Sequence, residues 1–315
     1  MIHYYQIDVK EAIQEIESET QADWIALYDA TDEEIKKCLQ AYKLPEDLLE
    51  RIRQEEEVAR LQIYQSDELK EVQILVLTNL TNQRDKRIEE RLEPIIFIFS
   101  DTVMLTLTTA ESNFFPRLLE KHGSAVDSKE SLTAYAILMI YSHYIQELRK
   151  IKEVIDALDD DARETTKNEA LDRLANTERV VIFLDHTLQE QKETLQTFFE
   201  ETKFAEQLSD TKLRYEINLR QKYAEKMVRL YRDLLENVGG LFSDMMSNNL
   251  NHLMKFLDSA ALVVSVPAMI AGIWGMNTGG LPGEKSNFGF LAVSAGAMFL
   301  AILTAIYLRN KKYSK

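Results

Sequence analysis

Cysteine is nearly absent from this sequence. Cys38 is the sole thiol among 315 residues, so no disulfide framework within the chain holds the fold, and a reducing compartment suits it. Proline is scarce as well, and none lies between Pro116 and Pro267. Between Gly123 and Gly272 the pair Gly239-Gly240 is the one interruption by glycine. So long a segment without helix breakers demands long helices. The histidines His3, His122, His143, His186 and His252 show no metal-ligand spacing, and no glycine-rich phosphate loop is present. Catalysis therefore has no constellation to rest on, and the chain reads as a non-enzyme. The first residues, Met1-Ile2-His3-Tyr4-Tyr5-Gln6-Ile7-Asp8, lack a basic region followed by an apolar run, so no secretory signal is expected.

Positive charge is in short supply except at one end. The formal net charge is −15, yet from Asn251 onward six basic residues (Lys255, Lys285, Arg309, Lys311, Lys312 and Lys315) face only Asp258 and Glu284, a tail of +4. Residues 1–250 then carry −19. Such a body repels phosphate backbones, which argues against nucleic-acid binding, and it suits cations.

Short runs rich in β-branched and aromatic residues predict strands at 24–28, 59–64, 72–80, 95–99 and 103–108. Thr31-Asp32-Glu33-Glu34 has the spacing of a capping box and predicts a helix behind the first of them. The charged stretches 46–57 and 81–93 read as helices or solvated connections, and Pro116 predicts a helix entered after Asn113. Three long helices follow, over about 129–160, about 166–203 and from about 210, with Asp159-Asp160-Asp161 marking a turn. In the third, Ile217, Ala224, Tyr231, Val238 and Met245 recur every seven residues, with Met227, Leu234 and Leu241 completing an a/d pattern. That favours a helical bundle around an axis over a core helix within one chain. Gly239-Gly240 costs helix stability and implies close packing or a hinge.

Residues 256–274 are apolar apart from Asp258, and 288–308 contain no charge. Each run has about 20 residues, enough to cross roughly 30 Å of hydrocarbon. Basic residues crowd behind the second run, while the intervening 275–287 hold one lysine and one glutamate, so both termini are expected on the cytoplasmic side. Along the first span Ala261, Ser265, Ala268 and Gly272 form a stripe of small residues, extended by Asp258, Met254 and Asn251. Close helix packing and a pore lining both account for such a stripe. Pro267 removes one backbone donor from this helix, a defect tolerated in membranes where neighbours or water compensate.

The first span ends in Ala271-Gly272-Ile273-Trp274-Gly275-Met276-Asn277, with a short loop, a second span and a basic tail behind it. This resembles the CorA family of divalent-cation (Mg²⁺/Co²⁺) transporters, best from about residue 205 onward. The resemblance implies an α+β cytoplasmic domain, a mixed sheet with flanking helices, over 1–127. It further implies long cytoplasmic helices and a stalk over 128–250, and a membrane domain over 251–315. Within the last, the spans fall at about 256–274 and 288–308, joined by a periplasmic loop 275–287 and followed by a cytoplasmic tail 309–315. The family is a homopentamer in the bacterial inner membrane, with a funnel of cytoplasmic domains and a pore lined by the first spans.

By this likeness Gly275, Met276 and Asn277 form the selectivity filter, and Asn277 meets hydrated Mg²⁺ with a ring of carboxamides. Asn251, Met254, Leu257, Asp258, Ala261, Ser265, Ala268 and Gly272 line the pore, with Asn251 at an inner polar ring and Leu257 at a hydrophobic constriction. Mg²⁺ is the implied transported and regulatory ion, no other cofactor is implied, and cytosolic Mg²⁺ bridging acidic residues between subunits would gate the channel. Ser265 and Ala268 depart from the methionine and threonine of well-known relatives, which bears on selectivity. The loop Gly279-Gly280-Leu281-Pro282-Gly283 is also similar to that of ZntB-like proton-coupled Zn²⁺ transporters. Zn²⁺, Co²⁺ and Ni²⁺ thus stay open beside Mg²⁺. A membrane-anchored structural coiled coil explains the heptads and spans but not the Gly-Met-Asn turn.

Overall fold

The computed structural model of the chain describes residues 2–8, 12–28, 30–45, 48, 58–66, 69–83, 86–109, 112–164, 168–276, 280 and 286–310. It falls into two compact units, Met1–Asp159 with Glu169–Val238, and Asp160–Asn168 with Gly239–Lys315.

The first unit is built on a seven-stranded mixed sheet in the order β2-β1-β3-β7-β6-β5-β4. The strands are β1 Ile2–Asp8, β2 Ala12–Ile16, β3 Trp24–Leu27, β4 Arg60–Ser66, β5 Lys70–Leu80, β6 Leu92–Phe99 and β7 Met104–Leu107. Among the described strands only β3 and β7 run parallel, Trp24 pairing with Met104 and Leu27 with Leu107. The helix α1 (Asp32–Ala41) follows β3, and its start is the expected capping box. The Thr31 hydroxyl accepts from the Glu34 amide, and the Thr31 amide donates to Glu34 Oε2 at 2.8 Å. Ile35, Cys38 and Leu39 of α1 then meet Ile25, Leu27, Ile74, Val76, Ile98 and Leu105 on one face of the sheet.

Helices α2 (Phe114–His122), α3 (Lys129–Glu164) and α4 (Asn168–Glu201) supply groups to the other face. Trp24 donates to the Thr106 hydroxyl at 3.0 Å and packs on Phe115 at a ring separation of 5.4 Å. From α3, the Tyr144 hydroxyl donates to the Thr78 carbonyl at 2.8 Å, and from α4 Thr194 donates to the Ala59 carbonyl at 3.0 Å. Because both faces are covered, the central strands read as unbroken apolar runs rather than alternating ones.

A buried ion pair fastens α3 to the edge of β6. Arg91 reaches Glu147 at 2.9 Å, with side chains only 7% and 12% exposed, and also donates to the Thr81 carbonyl. Burial raises the Glu147 carboxyl pKa, but Arg91 and Lys150 outweigh it and hold the group below its ordinary value of 4.5.

Helix α5 spans Thr211–Trp274 as a single element, and α6 spans Asn287–Asn310. Within the first unit, Ile217, Ala224, Tyr231 and Val238 of α5 are all buried in the single chain, with Gln221, Val228 and Leu235 between them. Side-chain ties hold the helix there: Arg220 donates to the Leu138 carbonyl at 2.9 Å and to the Ser142 hydroxyl, and Lys192 meets Glu225 at 3.1 Å. The seven-residue repeat up to Val238 is thus filled from inside the chain, which corrects the expectation of a bundle seam there. Leu234, Leu241 and Met245 are half-buried. The exposed apolar residues of this stretch, Tyr215, Leu219, Tyr223 and Leu230, lie on the opposite side of the helix.

Two further expectations differ from the structure. Asp159-Asp160-Asp161 lies inside α3, because Ile151, Ile155, Leu158 and Ala162 carry a buried 3–4 spacing straight past it. Strands β1 and β2 were not expected: only Tyr5 of β1 is buried, so these strands carry little apolar signal. Most of the charged stretch 46–57 lies outside the described residues, while 86–91 is a connection that ends in a short 3₁₀ turn, Glu89–Arg91, one of the two forms expected for it.

Candidate functional site

The second unit contains the two helices long and apolar enough to cross a membrane, the last part of α5 and α6. Their packing defines two sides of the first span. From His252 onward the half-buried residues of α5 are His252, Ser259, Val263, Val266, Pro267, Ile270 and Trp274. At 100° per residue these fall along one side of the helix. On α6 the covered residues are Gly289, Val293, Ala297, Ala301, Thr304 and Leu308, at spacings of three and four, with Ala297 buried. Ser259 and Val263 share a groove with Ala305 and Leu308, so the two stripes face each other. Small residues on α6 let the helix axes approach closely. That stripe was not singled out from the sequence, although Gly289, Ala297 and Ala301 are visible there as small residues four or eight apart.

Asn251, Met254, Leu257, Asp258, Ala261, Ser265, Ala268 and Gly272 are all exposed in the chain. Around the helix they centre roughly 160° from the side that meets α6. The small-residue stripe therefore does not serve packing inside the chain. At Gly272 a Cβ would meet nothing within 4 Å, so no neighbour within the chain demands glycine there. The Ser265 hydroxyl donates to the Leu262 carbonyl at 3.0 Å, which satisfies its proton within the helix and leaves its oxygen able to accept. Pro267 is half-buried inside the helix, which continues through it to Trp274.

Past Trp274 the backbone closes in a turn. The Gly275 amide donates to the Ala271 carbonyl at 2.9 Å, and the Met276 amide to the Ile273 carbonyl at 3.3 Å. A Cβ at Gly275 would stand 3.1 Å from the Ala271 oxygen, tighter than ordinary contact, which gives the glycine a steric reason. Met276 is 54% exposed. Asn277, the residue on which the resemblance places ion recognition, lies outside the described residues, as do 278–279 and 281–285. Gly280 has φ +105°, a backbone state that favours glycine. Among the described residues no group of three or more histidine, cysteine or carboxylate side chains is placed to hold a metal ion.

The family described as CorA-like Mg²⁺ transporter protein matches residues 19–311. The cobalt/magnesium transport protein CorA of Thermotoga maritima is 24% identical over 170 residues, covering 54% of this chain and 48% of the relative. The chain thus spans about half the length of that curated relative. Among solved structures, the CorA magnesium transporter of Methanocaldococcus jannaschii is similar with a TM-score of 0.77 at 16% identity, over 100% of this chain and 98% of that one. The full-length CmaX protein is similar with a TM-score of 0.71 at 15% identity, over 98% and 97% of the two chains.

Proposed function

From the premise that the chain belongs to the CorA-like Mg²⁺ transporter family, we propose that it assembles as a homopentamer and conducts hydrated Mg²⁺ into the bacterial cytoplasm. The observation that carries this reading is the orientation of the first span. Its small and polar stripe, Asn251 to Gly272, is exposed on the side away from α6. An exposed stripe of that composition is costly against lipid, because Asn251 and Asp258 would face hydrocarbon or its boundary unpaired. Water in a pore between copies removes that cost. The exposed Tyr215, Leu219, Tyr223 and Leu230 support self-association of the first unit in the same way.

Mg²⁺ dehydrates reluctantly and keeps its octahedral water shell. A ring of Asn277 carboxamides offers oxygen dipoles to those waters without a net charge that would trap the ion. Further in, the open stripe of Ala261, Ser265, Ala268 and Gly272 leaves width for a hydrated ion, and a Leu257 ring gates by dewetting when it narrows. Asp258 and Asn251 receive the ion at the inner end. Transfer of two charges through an inside-negative potential contributes about 4.6 kcal/mol per 100 mV, so no coupling ion is needed. Cytosolic Mg²⁺ bound between acidic first units closes the pore, because losing it leaves like charges facing one another.

Thiol accessibility tests the orientation. Cys38 is buried and its thiol is pushed up to about 12 by burial, with Glu19 adding to the effect, so the native cysteine stays unreactive toward thiolate reagents. Single A268C and S265C proteins in Mg²⁺-loaded vesicles are expected to lose flux on treatment with a cationic methanethiosulfonate reagent, whereas V263C, on the side facing α6, is expected to keep it. Block at V263C and none at A268C would reverse the assignment. Running Co²⁺, Ni²⁺ and Zn²⁺ alongside Mg²⁺, with a pH-sensitive dye, identifies the ions carried. Zn²⁺ uptake accompanied by proton movement, without Mg²⁺ uptake, would favour the ZntB-like mode.

A further inference from the structure

The packing of α5 on α6 leaves a groove of about 780 Å³ at the end of the hairpin where α6 terminates. Its floor is hydrocarbon: Phe256, Val263, Val264 and Leu308, with Ala260 and Ala305 too small to fill it. Its mouth is different. Lys255, Arg309 and His252 stand there, and among the described residues no carboxylate lines the groove. Lys255 immediately precedes the first apolar run and Arg309 immediately follows the second, so sequence puts both cations at one membrane boundary. Among the described residues neither Lys255 nor Arg309 has a hydrogen-bond or ion-pair partner.

We infer that this groove is a binding site for an anionic phospholipid, whose phosphate meets Lys255 and Arg309 and whose acyl chain lies along Phe256, Val263 and Val264. The complementarity is specific in both parts. A free phosphate would satisfy the cations but leave the apolar floor wet. An apolar helix of a second copy would cover the floor but bury two cations without partners, which is costly. A zwitterionic lipid fits the floor, yet its own cation opposes Lys255 and Arg309. Only a molecule joining an anion to a hydrocarbon chain answers every wall, and basic pockets between membrane helices bind anionic headgroups for this reason.

The test uses the full-length protein, stripped of lipid in neutral detergent and titrated with dioleoylphosphatidylglycerol or dioleoylphosphatidylcholine, with bound lipid counted by native mass spectrometry. With each cation near the membrane surface adding about one factor of five, wild type is expected to prefer the anionic lipid by about thirtyfold. K255Q/R309Q is expected to lose that preference. V263F, which fills the floor and keeps both charges, is expected to weaken both lipids together. Inorganic phosphate at the same concentrations is expected neither to bind nor to displace lipid. Equal affinity for the two lipids in wild type, an unchanged preference in K255Q/R309Q, or full competition by inorganic phosphate would each overturn the site. Lipid counts on the single variant K255Q, expected to lose about fivefold, decide the matter if the double variant does not assemble. These readouts need no ion flux, so the site can fail while the channel reading stands, and the reverse.

Discussion

Replacing Asn277 by alanine is expected to drop Mg²⁺ flux to the level of protein-free vesicles while the oligomer elutes unchanged. A hydrogen bond to a charged group contributes about 1.5–3 kcal/mol. In the proposed homopentamer one substitution removes every carboxamide of the ring at once, so even partial loss of that stabilisation is expected to slow ion entry at least about a hundredfold. Assembly is unaffected because Asn277 follows the turn made by Gly275 and Met276, whose own amides bond to Ala271 and Ile273. N277D is the informative companion: it keeps the size of the side chain and adds charge, so it is expected to bind Mg²⁺ more tightly and release it more slowly. Vesicles that load Mg²⁺ at the wild-type rate through N277A would remove Asn277 from the filter.

The second large effect concerns folding. R91M leaves the Glu147 carboxylate 12% exposed with Lys150 as its remaining cation, at 3.3 Å. Breaking a buried pair from one side costs about 3–5 kcal/mol, and Lys150 keeps the loss near the lower figure. For a unit of this size, roughly 3 kcal/mol corresponds to a fall of about 6–12 °C in Tm. The double variant R91M/E147Q, which removes both charges, is expected to recover most of it. The pH dependence follows from the same pair. The folded Glu147 carboxyl is held below its ordinary 4.5, so its contribution is complete above that pH and is lost as acid titrates the folded group. Differential scanning fluorimetry of the full chain at pH 7 checks the first statement. A Tm for R91M within about 1 °C of wild type would show that the pair holds nothing.

The parts of the fold that were legible share a physical cause. β3, β5, β6 and β7 are covered on both faces, so burial wrote itself as runs such as Trp24-Ile25-Ala26-Leu27, and the Thr31 capping box needs no tertiary context to be read. β1 and β2 were not legible because an edge hairpin with one buried residue, Tyr5, leaves no apolar run. Asp159-Asp160-Asp161 misled because low helix propensity is a small cost beside continued burial at Leu158 and Ala162. The heptads of α5 misled for a different reason. A seven-residue repeat specifies a buried stripe but not whose side chains cover it, and α3 and α4 of the same chain supply the ties.

In the candidate site the apolar spans and the small stripe on α5 were plain in sequence. Which side of that helix meets α6 was not, because Ala261 and Ser265 are as suited to close packing as Val263. Only the α6 stripe through Ala297 separates the two sides. The groove below Lys255 and Arg309 was equally hidden, since those two residues stand 54 positions apart in the chain and share a groove only in the fold.

The central claim is ion conduction, and its most direct measurement is Mg²⁺ entry into liposomes carrying the purified full-length protein, clamped at an inside-negative potential by a K⁺ gradient and valinomycin. Uptake that grows with the imposed potential, without movement of the internal pH dye, is the expected result. Vesicles that take up no Mg²⁺ at any potential, with the protein correctly inserted, would contradict it and return the chain to a structural role in the membrane.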